Sequence, residues 1–171
     1  VTVTNNCGSS SLTATGSNLL WSTNENTATI NVNSAGTYTV TQTVAGCTSL
    51  PGSGTAAPLA VPSISVSGSS NPTTCGNSNG SITISGSGTG VVSWTGEASG
   101  NSGSVTLPHT INGLENGSYN ITFNNGCASN TVSETLNDPA APAAPSVTVT
   151  NNCGSSSLTA TGSNLLWSTN E

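Results

Sequence analysis

The opening stretch from Val1 to Glu25, VTVTNNCGSSSLTATGSNLLWSTNE, returns unchanged as Val147 to Glu171, an offset of 147 − 1 = 146 residues. A strand surface tolerates many polar substitutions, so identity along so long a stretch does not come from shared physical constraint. It marks a tandem array, of which 171 residues form a window slightly longer than one period. The chain reads as a piece of a longer fibre or stalk.

Charge narrows the function classes next. The sequence has no Lys or Arg, six acids and one His, for a net charge of −6. Salt bridges, guanidinium clamps on phosphate, and attraction to nucleic acid or anionic lipid are therefore unavailable. Neither a nucleic-acid partner nor direct membrane contact is expected. Hydrophobic residues make up only 32%, which would signal disorder if clear strand alternation were not also present. The expectation is small, thin-cored, folded β modules.

The five cysteines make sense once the repeat is laid over them, because Cys7 and Cys153 are one position in successive copies. The expected bridges are Cys7–Cys47 and Cys75–Cys127, one per module, with Cys153 unpaired in this window. Two bridges in a charge-poor, turn-rich chain imply an oxidising, extracellular compartment. Domains this small need such staples.

The alternation has period 2 with one wet face, as an antiparallel sandwich requires, and no segment has a helical period. Residues 1–57 are expected to form a first module and 63–139 a second. Residues 58–62 form a Pro-rich joint, 140–145 an Ala/Pro linker, and 146–171 the start of the next first module. Both modules follow one plan. A cysteine precedes the second strand and a Trp sits in the third (Trp21, Trp94). A Gly-x-Tyr opens the penultimate strand (Tyr38, Tyr119), and a Gly-Cys follows it (Cys47, Cys127). The tyrosines resemble the tyrosine corner of β-sandwiches and the tryptophans their third-strand tryptophan. The fold class expected is all-β, in tandem small Ig-like antiparallel sandwiches, each with one disulfide. Trp21, Tyr38, Trp94, Tyr119, Phe123 and Trp167 are the expected core aromatics. Glu134 shares a face with Val132 and Leu136, which marks that strand as an edge.

Cys7-Gly-Ser-Ser-Ser-Leu-Thr-Ala-Thr-Gly, Leu20-Trp21-Ser22-Thr23, Gly36-Thr37-Tyr38-Thr39-Val40-Thr41 and Gly46-Cys47 resemble the Ig-like, PKD-like repeats of large secreted surface proteins of Bacteroidota. Cys75-Gly-Asn-Ser-Asn-Gly-Ser-Ile-Thr-Ile-Ser-Gly, Ser93-Trp94, Leu114, Gly117-Ser118-Tyr119 and Asn125-Gly126-Cys127 resemble the SprB repeat of gliding-motility adhesins. The resemblance implies export by the type IX route and a place on very long cell-surface filaments. Those repeats usually carry an Asp before the Asn-Gly-Cys turn, where this chain has Phe123-Asn124.

No catalytic constellation is expected. His109 and Asp138 are alone of their kinds, and no serine sits in a Gly-x-Ser-x-Gly elbow. Glu25, Glu97, Glu115, Glu134 and Asp138 are too scattered for a calcium cage or a glycosidase pair. The cysteines lack metal-ligand spacing, so neither metal nor cofactor is expected. Asn79, Asn116 and Asn120 fit the glycan acceptor pattern. The Thr-x-Thr rows resemble ice-binding arrays, but half-exposed strands give the same rows. The function expected is a non-enzymatic spacer on the cell surface, its partners neighbouring copies of the same repeat. Glycan binding and lateral self-association into a sheath are the alternatives. Alternating two unlike modules is expected to lower swapping between immediate neighbours.

Overall fold

The computed structural model describes residues 1–168. The chain is all-β and divides into two compact units, Val1–Asp138 and Pro139–Glu171. The last three residues of the expected 146–171 copy lie outside the described residues.

The first unit opens with a sheet of β1 (Thr2–Asn6), β2 (Ser9–Thr13) and β4 (Thr29–Val32), in the order β1-β2-β4. Its companion sheet is built on β5 (Gly36–Val44), which pairs with β3 (Leu19–Trp21), β6 (Cys47–Thr48) and β7 (Gly52–Ala56). Between them lies a core of Leu12, Ala14, Leu19, Trp21, Ile30, Val32, Val40 and Ala56. The alternation in sequence decides which residues enter it. In β3, Leu19 and Trp21 point in while Leu20 points out, and in β4, Ile30 and Val32 point in. The last strand of this module is β7, which ends just before the Pro-rich joint. Its Gly54 is there for close approach: a Cβ at that position would stand 2.7 Å from Val3 and 2.8 Å from Val1.

Two further sheets follow within the same unit. One runs β12-β9-β8, from β8 (Ser65–Ser70), β9 (Gly80–Ser85) and β12 (His109–Leu114). The other runs β11-β10-β13-β14, from β10 (Thr89–Gly96), β11 (Gly100–Thr106), β13 (Gly117–Asn124) and β14 (Val132–Leu136). They enclose a second core, in which Ile82, Ile84, Val92, Tyr119, Ile121 and Phe123 are fully buried. β14 is the edge that Glu134 signalled, and Glu134 accepts a 2.6 Å bond from Ser69 Oγ of β8. The glycine-rich stretch 96–103 is mostly sheet, because β10 extends to Gly96 and β11 begins at Gly100. Backbone pairing there needs no apolar side chains, so periodicity could not reveal it.

With no cation in the chain, hydroxyls take over the cross-strand work. Among the described residues, eight pairs of directly opposed Ser and Thr, from Thr13–Thr29 to Ser146–Thr161, bond side chain to side chain at 2.6 to 3.3 Å. Such pairs contribute roughly 0.2–1 kcal/mol each.

The second unit contains β15 (Ser146–Asn152) and β16 (Ser155–Thr161), a hairpin with the register of β1–β2. Val149 faces Leu158 as Val3 faces Leu12. Ser156 Oγ donates to Asn151 Oδ1 at 2.8 Å as Ser10 Oγ does to Asn5 Oδ1 at 2.7 Å. Gly8 and Gly154 take φ of 73° and 81°, so the tight turn is written in the repeated stretch itself. The third strand is not. Leu19–Trp21 is β3 only because β5 pairs with it, whereas residues 165–167 form no strand. Trp167, expected as core, is half-buried outside any sheet, whereas Trp21 is buried with its Nε1 donating to Thr27 O at 2.8 Å.

Candidate functional site

The expected pairing of cysteines by module is overturned. Cys7 is bonded to Cys127, across 120 residues, with Cα atoms 5.6 Å apart. That bond excludes both Cys7–Cys47 and Cys75–Cys127. The length of β5 explains the first exclusion. Ala56 pairs with Gly36 at one end of β5, and the chain beyond it, at Ala57, reaches Asn5 beside Cys7. Cys47 pairs with Val44 at the other end. Eight residues of strand separate those ends, roughly 25 Å. A disulfide requires Cα atoms within about 7 Å. Cys47 and Cys153 are exposed thiols outside any disulfide.

The bridge is one of three clamps on the joint between the two cores. At the first, the Pro-rich joint pairs with the β1–β2 turn. Leu59 N donates to Asn6 O at 2.9 Å, and Gly8 N donates to Leu59 O at 2.8 Å. Asn5 Oδ1 also accepts from Ala57 N at 3.0 Å, while holding the buried Ser10. At the second, Asn130 grips the start of the next sandwich. Its Oδ1 accepts from Ile64 N and its Nδ2 donates to Ile64 O, both at 2.9 Å. Cys127 forms the third. Its turn is held by Asn124 Oδ1, which accepts from Gly126 N at 2.8 Å, and by Ser129 Oγ, which accepts from Phe123 N at 2.9 Å. Cys127 itself is buried and Cys7 exposed.

Asn5, Leu59 and Asn130 were not singled out by sequence reasoning. In a chain crowded with Asn, nothing local distinguishes a clamp from a turn residue. Four cysteines also allow three connectivities that spacing alone does not rank.

The other sequence-predicted residues fall as follows. Tyr38 and Tyr119 each donate a hydroxyl bond of 3.1 Å to the carbonyl four residues upstream, Ser34 and Glu115 respectively. Burial raises the Tyr119 phenol above its ordinary value, and the Glu115 and Glu97 carboxylates add to the rise. Phe123 is fully buried, while Trp94 is half-buried against its core with Gly100 beneath the indole. His109 opens β12 opposite Ile84, at one end of β9. Asp138 accepts from Gly76 N at 3.3 Å, before the other end of β9. The sheet therefore holds them roughly 10 Å or more apart, and they do not converge. Glu25 and Glu115 accept from the neutral donors Thr23 and Ser78, and no cluster of His, Cys, Asp or Glu suited to a metal ion occurs among the described residues. Glu97 is exposed. Asn79 uses both amide atoms on Thr73, and Asn120 Oδ1 accepts from Ser133, while Asn116 is exposed in the turn before β13. A cleft of about 250 Å³ opens beside Val1, Leu19, Gln42 and Leu50, and its lining side chains are neutral.

The geometry thus defines an all-β, sandwich-like chain whose most constrained feature is a covalently clamped joint. No family model and no curated protein matches this sequence.

Proposed function

We propose that this chain is a non-enzymatic structural repeat of a long secreted cell-surface fibre or adhesin stalk, built from small Ig-like sandwiches. The observation that carries the reading is the return of Val1 to Glu25 as Val147 to Glu171, with both copies folding into one hairpin of one register. A sequence that programs the same hairpin at each recurrence makes the same module each time, and a spacer lengthens by adding periods. The disulfide and the cation-free surface support an oxidising, extracellular setting. The resemblance to PKD-like and SprB-like repeats extends the reading to surface filaments exported by the type IX route.

The clamp gives the spacer its mechanics. Tension applied along the chain passes through Cys7–Cys127 and bypasses the residues between them. Small-angle scattering on oxidised chains of one, two and three periods tests the spacer directly. The largest dimension should rise by equal increments per period; a dimension that stops growing would contradict it.

A further inference from the structure

Each period carries four cysteines, and Cys7–Cys127 takes two of them. The other two, Cys47 and Cys75, are exposed, and each stands at the end of its own sandwich away from the joint. Cys47 follows the two-residue turn Ala45-Gly46, with φ of 50° and 80°, which holds it at the tip of the β5–β6 hairpin. Val1 lies at that same end. It lines one cleft with Gln42 and Ser49, and Ser49 N donates to Gln42 O at 2.9 Å. In the second sandwich, β8 and β14 run from the Ile64–Asn130 clamp to the far end, where the turn from Thr74 to Asn77 carries Cys75. Gly76 N donates to Asp138 Oδ2 at 3.3 Å, so Cys75 sits beside the residue at which the chain leaves the unit. Cys47 and Cys75 of one period are not bonded to each other. The sandwiches meet at the joint, and their strands do not pack along one another.

Successive periods are related differently. The eight residues Pro139 to Ser146 join Asp138 to Val147, which is the position of Val1 in the next period. The Cys75 end of one period is therefore followed by the Cys47 end of the next, across a tether of about 30 Å at full stretch. We propose that Cys75 of each period forms a disulfide with the Cys47 position of the period that follows. A tether this short holds the two thiols at an effective concentration of roughly millimolar. The oxidant is a small-molecule disulfide, of which oxidised glutathione is the example used below. One thiolate attacks it and releases a first reduced glutathione. The second thiolate then displaces the other glutathione from the mixed disulfide. Two electrons pass to glutathione, and the two cysteine protons end on its two thiols. Each period is then stapled once within itself and once to each neighbour. The inference rests on the tandem-fibre reading and specifies how neighbouring copies are joined.

The test uses chains of one, two and three periods, oxidised at high dilution with oxidised and reduced glutathione, then acid-quenched, alkylated and weighed intact as monomers. Cys7–Cys127 alone leaves two thiols per period. With the bond between periods, the expected count is two alkylated thiols at every length, the first period's Cys47 and the last period's Cys75. Cys47→Ser in every period should leave one thiol per period instead, so that the count climbs with length. Three outcomes would each overturn the proposal: counts of two, four and six, which mean no bond between periods; a count of zero, which means Cys47–Cys75 closure within each period; or thiols lost only in covalent multimers, which is cross-linking of separate chains. Scattering on the same samples keeps the two readings apart. Equal growth per period with counts of two, four and six would sink the bond and leave the spacer standing, whereas a dimension that stops growing would sink the spacer itself.

Discussion

Tyr119 is buried, and its hydroxyl donates 3.1 Å to the carbonyl of Glu115, an arrangement that Tyr38 repeats with Ser34. Burial raises the phenol's pKa above the ordinary 10.0. The folded chain therefore holds this proton to higher pH than the unfolded chain does. The stability it contributes is fully present below 10.0 and is lost as pH rises through the folded value. Tyr119→Phe should cost about 1 kcal/mol at neutral pH and flatten the alkaline decline, as read by urea unfolding at a series of pH values. The cysteines make a sharper residue-scale contrast. Cys7→Ser removes the closure of a 120-residue loop, worth about 5 kcal/mol in the chain-entropy model. Cys47→Ser touches an exposed thiol outside any disulfide and should fall within about 0.5 kcal/mol of the parent. Equal effects in denaturant melts would mean that the staple is elsewhere. The tyrosine corners were legible because Gly-x-Tyr is a local pattern. The bridge was not, because its geometry depends on the length of β5 and on how the joint folds back.

At the scale of elements, one sequence appears in two settings, and that separates what the hairpin encodes from what tertiary contact adds. Turn and register belong to the repeated stretch, as Gly8 and Gly154 show. The third strand belongs to β5. Leu12→Ala should therefore cost about 2–5 kcal/mol, while Leu158→Ala, half exposed, should cost less than about 0.5 kcal/mol, in parallel melts of the two variants. The hydroxyl pairs that replace ion pairs make a second element-scale prediction. Raising NaCl from about 0.1 to about 1 M should move the melting temperature by less than about 2 °C, because no attractive charge pair is there to be screened. A large drop would point to ion pairs this sequence does not supply. Most strands were readable from alternation, as in β3, β4 and β9. The glycine-bearing ends of β10 and β11 were not, because backbone pairing leaves no apolar signature.

For the whole molecule, the clamped joint replaces the expectation of two separately stapled modules. Leu59 bonded to Asn6 and Gly8, Ile64 held by Asn130, and Cys7 joined to Cys127 tie both cores into one unit. Under tension the covalent path enters at Cys7 and leaves at Cys127. Of a 146-residue period, 120 residues lie within the bridge, which leaves 26 able to extend. At about 3.5 Å per residue that is about 90 Å of contour length per period, against about 500 Å for a reduced one. Single-molecule pulling on an oxidised multi-period chain measures this quantity directly. No period should lengthen by more than about 90 Å until reductant is added, after which steps several times longer should appear. Oxidised periods that release hundreds of ångströms would contradict it.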